Sequence, residues 1–139
     1  MKRAAVFGLV WLLLCCESST APPARVRGGL LGTYRLVTIN GSPLPRPVGN
    51  GYTGASYTVH GSELQIFDEE YSLTADHTDE RTGERRTLTV RGRWRRYGTE
   101  LRFRPMGDSC EDMARWYPET SEIAFVDECS YNRSWLYEG

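Results

Sequence analysis

From residue 30 to the C-terminus, apolar and polar side chains alternate with period two, and turn residues interrupt the alternation at short intervals. Period two is the signature of strands with one dry face, and no stretch sustains an apolar repeat at helical spacing. This feature restricts the chain to an all-β fold. The alternation predicts eight strands: Gly32 to Asn40, Gly54 to His60, Glu63 to Phe67, Tyr71 to Thr78, Arg85 to Tyr97, Glu100 to Arg104, Glu122 to Glu128 and Tyr131 to Tyr137. Their connectors, among them NGSPLPRPVGNG, HGS, DEE, DERTGE and YGT, carry turn chemistry, and short links make successive strands antiparallel neighbours. One stretch, DSCEDMARWYPETS, reads instead as a short helix capped by Ser109, running through Trp116 and ended by Pro118.

The alternation is clearest in RTLTVRGRWRRYGTELRFRP, residues 86 to 105. Leu88, Val90, Gly92 and Trp94 fall on one face of a strand, and Thr87, Thr89, Arg91, Arg93 and Arg95 on the other. Leu101 and Phe103 then oppose Arg102 and Arg104 in the same way, so the hairpin has a dry side and a cationic side. Gly92, inside a long strand, marks an expected bend or bulge that lets the sheet curl. A curled meander with one apolar face removes its exposed edges by closing. The expected fold is an eight-stranded antiparallel up-and-down β-barrel in one domain, which suits a chain of 139 residues. Its inward set is Tyr34, Leu36, Leu64, Ile66, Tyr71, Leu73, Leu88, Val90, Trp94, Leu101, Phe103, Ile123, Phe125, Trp135 and Tyr137. The loop from Gly41 to Thr53 is either a lid or an ordered surface loop.

The N-terminus supplies an address. Lys2 and Arg3 precede an apolar run from Ala4 to Leu14 that is too short for a stable transmembrane helix and reads as an export signal. The run ends at Cys15-Cys16, in the manner of a bacterial lipoprotein signal with Cys16 as the lipidated residue. Ordinary cleavage after Ser19-Thr20-Ala21 is the alternative, with Pro22 placed to hinder it. The expected organisation is a signal segment over residues 1–16, a flexible tether over 17–29 and the barrel over 30–139, in the cell envelope or secreted. In an oxidising compartment Cys110 and Cys129 are expected to form a disulfide, because His60 and His77 lack the spacing of a zinc site.

The segments GTYRLVTINGSPLP and GSELQIFDEEYSLTADHTDERTGERRTLTVRGRWRRYGTELRFRP resemble the bacterial lipocalin-like domain family over roughly residues 31 to 137. The matching positions include Gly32, Asn40-Gly41, Pro43 to Pro45, Leu64, Ile66, Tyr71, Leu73, Gly92, Trp94, Leu101, Phe103 and Pro105. Gly32-Thr33-Tyr34 also resembles the Gly-x-Trp opening of lipocalins, with Tyr34 in the tryptophan's place. The resemblance implies a small envelope barrel, in some members with a ligand cavity, and makes Arg133 the candidate arginine packing over the opening aromatic.

A formal net charge of -1 argues against a chain that coats itself in nucleic acid, and no nucleic-acid partner is expected. No nucleophile elbow, metalloprotease helix or phosphate loop is present, so the chain is read as no enzyme, with neither cofactor nor metal. The expected function is binding of a small hydrophobic molecule inside the barrel, through Tyr34, Leu36, Tyr71, Leu73, Val90, Trp94, Phe103, Phe125, Trp135 and Tyr137. The alternative is a solid, ligand-free barrel acting through an arginine-rich outer face that includes Arg91, Arg93, Arg95, Arg102 and Arg104. Arg81, Arg85, Arg86 and Arg96 belong to the same expected face, whose contacts would be anionic lipid headgroups or phosphorylated sugars. A monomer is expected, held at a membrane by its N-terminal lipid.

Overall fold

The computed structural model describes residues 29–49, 54–127 and 133–139. The expected signal segment, Cys16, most of the tether and Cys129 lie outside the described residues. Among the described residues ten strands form one antiparallel sheet: β1 (Gly32–Ile39), β2 (Ser42–Pro43), β3 (Arg46–Gly49), β4 (Ser56–Ile66), β5 (Glu70–Asp79), β6 (Arg85–Tyr97), β7 (Glu100–Pro105), β8 (Asp112–Tyr117), β9 (Glu122–Asp127) and β10 (Arg133–Glu138). β4 through β10 pair in chain order, and β1 pairs with β10 on one side and β4 on the other, which closes an eight-stranded barrel. β2 and β3 are short additions to the connection between β1 and β4.

The expected architecture is therefore present, but two of its eight strands differ from the sequence reading. Gly54 to His60 and Glu63 to Phe67 are not separate strands. They belong to the single strand β4, whose register against β5 shifts between Val59 and Gly61. That bulge moves the dry face from odd positions (Val59) to even ones (Leu64, Ile66), and the broken alternation around HGS imitates a turn. The second correction concerns residues 109 to 116, where Ser109 caps no helix. Asp112–Tyr117 is the strand β8, pairing with β7 and β9, and it buries Ala114 and Trp116 while Arg115 and Tyr117 face out. A pairing partner on each side satisfies the backbone of β8, which outweighs the weak local preference for a helical turn.

Gly92 does not carry the bulge expected of it, because β6 keeps register with both neighbours there. It allows a close approach instead. A Cβ at this position would collide with the Arg104 carbonyl oxygen and stand 2.7 Å from Tyr71 Cε1. The bulges that relieve the curl lie in β1, between Leu36 and Thr38, and in β4.

The core is concentrated at one end. Leu64, Leu101, Phe103 and Ile123 are fully buried there, and Tyr34 closes the bottom by donating its hydroxyl to the Leu30 carbonyl at 2.8 Å. Tyr71 meets Phe103 edge-on at 5.0 Å between ring centroids, and Phe103 packs against Phe125 at 5.3 Å. The other end is looser. Residues 85 to 90 of β6 pair with β5 alone among the described residues, because β7 stops at Pro105 opposite Gly92 and only the Met106 N–H reaches on to the Arg91 carbonyl. Leu88, on the inner face by register with Ala75, is consequently 54% exposed.

Candidate functional site: an apolar cavity at the open end

The strands that outrun the packed end leave a cavity of about 350 Å³ within the barrel. Its wall comes from Tyr71, Leu73 and Ala75 of β5, Leu88 and Val90 of β6, Phe125 of β9, and Trp135 and Tyr137 of β10. Each strand contributes alternate residues, as the pleat requires. Pro105, Asp108 and Asp112 complete the lining beside the β7–β8 connection. A second hollow of about 470 Å³ shares Ala75, Leu88 and Trp135 with the first and extends towards the β5–β6 turn. There the lining turns polar, with His77, Asp79 and Arg86 beside Val48, Tyr57 and Val59. Tyr57 and His77 stand edge-on at 5.3 Å, and His60 Nε2 lies 2.8 Å from Thr78 Oγ1.

Polar groups are few in the inner cavity, and each has a physical setting. Burial pushes the Tyr71 phenol well above its ordinary value, and the charges of Asp112 and Asp108 push it further, so it stays a neutral hydroxyl. The Tyr137 hydroxyl lies 3.0 Å from Ser62 Oγ. Trp135 buries its indole nitrogen without a hydrogen-bond partner. The arrangement suits a molecule that is mostly apolar, because a charged group placed against Leu73, Ala75 and Val90 would forfeit its hydration.

Of the ten residues expected to hold a ligand, Tyr71, Leu73, Val90, Phe125, Trp135 and Tyr137 line this cavity. Tyr34, Leu36 and Phe103 do not. They are buried in the packed core, where side chains have filled the space. Trp94 is also outside the cavity: it is half-buried at the packed end, its indole Nε1 donating to the Phe67 carbonyl at 2.8 Å. Sequence reasoning missed Ala75 and His77, although Tyr71, Leu73, Ala75 and His77 continue one period-two series. Asp112 was hidden by the helix assignment.

The arginines divide by the same parity. Arg91, Arg93, Arg95 and Arg104 are exposed and Arg102 is half-buried, all on the outward register. Arg86 and Arg96 do not belong with them. Arg86 pairs in register with His77 and lines the outer hollow, and Arg96 pairs with buried Leu101. Arg133, the candidate to pack over Tyr34, stands at the far end of β10. It is opposite Asp127, whereas Tyr34 lies near Gly139. Arg85 and Arg86 instead form ion pairs with Asp76 and Glu84, and the paired arginines hold both carboxyls below the usual carboxylate range.

Cys110 sits half-buried in the β7–β8 connection and is disulfide-bonded, while its expected partner Cys129 lies outside the described residues. Among the described residues no cluster of His, Cys, Asp and Glu is arranged to hold a metal, and no helix is long and apolar enough to cross a membrane. Comparison with family models, with curated proteins and with solved structures finds no match to this chain.

Proposed function

We propose that this barrel is a binding protein for a small apolar molecule, carried in the cavity at its open end. One observation supports the reading above the others: a cavity of about 350 Å³ walled by Leu73, Ala75, Leu88, Val90, Phe125 and Trp135 in a barrel whose other end is solid. Cavities of a few hundred cubic ångströms with apolar walls and few polar groups are the usual form of small-molecule sites. The ligand enters past Leu88 and the half-polar hollow lined by His77 and Arg86, and its apolar body rests against the neighbouring Phe125 and Trp135. Kinship with the lipocalin-like family, lipidation at Cys16, pairing of Cys110 with Cys129 and residence in the cell envelope belong to the same proposal. No catalytic step is part of it.

The test uses the neutral fluorescent probe N-phenyl-1-naphthylamine, titrated into the full chain. Saturable enhancement is expected, lost in Ala75→Phe, which places a ring at the junction of the two hollows. Unaltered binding in a folded Ala75→Phe protein, or no binding by the unmodified chain, would overturn the reading.

A further inference from the structure

A second hollow of about 370 Å³ lies on the outside of the β6–β7 hairpin, lined by Arg93, Arg95, Arg102, Arg104, Trp94, Glu69 and Glu111. Its arginines stand in two directly opposed pairs, Arg93 with Arg104 and Arg95 with Arg102. Side chains paired across antiparallel strands have Cβ atoms about 4.5–5.5 Å apart, and like charges in that relation repel. Two of the four have local relief: Arg102 Nε donates to Glu100 Oε1 at 2.7 Å, and Arg104 Nη2 contacts Glu111 Oε1 at 3.0 Å. The Arg93 and Arg95 side chains form neither ion pair nor hydrogen bond among the described residues, although Glu70 stands opposite Arg93 across β5 and β6. With Glu100 paired to Arg102 and Glu70 opposite Arg93 beside the lining Glu69 and Glu111, four carboxylates accompany the four guanidinium groups, and Arg93 and Arg95 are the two that form no ion pair.

We propose that this hollow binds a phosphomonoester dianion. Arg93 and Arg95 have no ion-pair partner to give up, and planar guanidinium groups donate paired N–H bonds to phosphate oxygens in a geometry that an ammonium cannot offer. Trp94 borders the hollow from the inner face of the strand, opposite Phe103 in register, with its indole bonded to the Phe67 carbonyl. Size and surroundings favour a small ligand over an extended polyanion or a flat anionic bilayer. Asp68, Glu69 and Glu70 crowd the adjoining turn, and Glu100 and Glu111 stand beside Arg102 and Arg104, so anionic charge extending past the hollow meets carboxylates. This site is on the opposite face of the wall from the apolar cavity, and its fate is independent of the function proposed there.

Calorimetric titration of the full chain with inorganic phosphate, glucose 6-phosphate and glucose tests the proposal. Both phosphates should bind and glucose should not. Arg93→Gln and Arg95→Gln should each weaken binding about tenfold, the loss of one charge-assisted hydrogen bond. Arg81→Gln, the same charge change on the β5–β6 turn, should leave it within twofold. Affinity should fall as pH drops through about 6, where the phosphate loses its second charge. Equal weakening by Arg81→Gln would overturn the proposal in favour of general charge attraction. Absence of binding by either phosphate would overturn it outright, and sedimentation with phosphatidic acid vesicles in that case would assign the arginines to a membrane surface.

Discussion

The guanidinium of Arg96 lies over the indole of Trp116, its central carbon 4.7 Å from the ring centroid. Arg96 comes from β6 and Trp116 from β8, with β7 between them, so the contact spans the packed mouth of the barrel. Arg96 Nε also donates to the Gly98 carbonyl at 2.6 Å, which fixes the side chain in place. The methylene stem covers apolar surface while the charge remains exposed, as long cationic side chains do at the rim of a core.

Replacing Arg96 by Gln removes the cation and part of the cover. An exposed cation–π contact contributes about 0.5–1 kcal/mol, so the urea midpoint of Arg96→Gln should fall by that equivalent without a change in slope. Arg91→Gln, exposed and outward on the same strand, serves as the control and should change stability by less than about 0.5 kcal/mol. Equal midpoints for the two variants would mean that the stack over Trp116 contributes nothing.

The two faces of the β6–β7 hairpin should fail unequally. Phe103 is fully buried between Tyr71 and Phe125, and Phe103→Ala is expected to cost about 3–5 kcal/mol, as large core deletions do. Trp94, opposite Phe103 but half-buried, should cost less, about 1.5–2.5 kcal/mol, in proportion to the area it hides and the hydrogen bond it loses. Arg93→Gln and Arg104→Gln should each stay within about 0.5 kcal/mol. Thermal melts of the four variants give the order directly, and a larger loss from Arg104→Gln than from Phe103→Ala would mean that the strand faces the other way.

Parity explains both what could be read from the sequence and what could not. Where a strand is straight and pairs evenly, as β5 to β7 do, alternation alone placed Tyr71, Leu73, Val90, Leu101 and Phe103 on the inner face. Where a bulge exchanges odd for even positions, as at His60 in β4, the same rule divided one strand into two. β8 failed for another reason. Its alternation, Ala114 and Trp116 against Arg115 and Tyr117, is only two residues deep, and its strand character comes from β7 and β9 rather than from its own sequence. The cavity was half legible for a related reason. Alternation identifies which side chains point inward, but whether they meet depends on strand lengths, and β7 ending at Pro105 is what leaves Leu73, Ala75 and Val90 facing open space.

Gly92 offers a stringent check on that geometry. The Arg104 carbonyl and the Tyr71 ring occupy the space a methyl group would need, and the carbonyl belongs to backbone that cannot rotate away. Gly92→Ala should therefore destabilise by about 2–3 kcal/mol although alanine suits a strand better than glycine. Tyr71→Leu in the same chain should recover little of the loss, because the backbone contact remains. Neutral behaviour of Gly92→Ala in chemical denaturation would mean that β6 and β7 leave room for a methyl group beside the Arg104 carbonyl.

Alkaline pH should loosen the barrel through Tyr71. Its phenol is raised above the ordinary value of about 10 by burial, with Asp112 and Asp108 adding to the rise, so the folded state holds the proton more tightly than the unfolded chain. A raised phenol contributes its stability in full below the unfolded value. Above about pH 10 the unfolded state alone releases the proton, and stability falls by up to about 1.4 kcal/mol per pH unit from this group. Tyr34, raised by burial in the same direction, adds to the slope. Tyr71→Phe keeps the edge-on contact with Phe103 and removes the titrating group. Urea midpoints measured from pH 7 to 11.5 should run parallel for the two proteins up to about pH 10 and then diverge, the unmodified chain falling more steeply. Parallel curves across the whole range would show that the Tyr71 phenol ionises as readily in the barrel as in the unfolded chain, and that the inner cavity is wetter than its apolar wall implies.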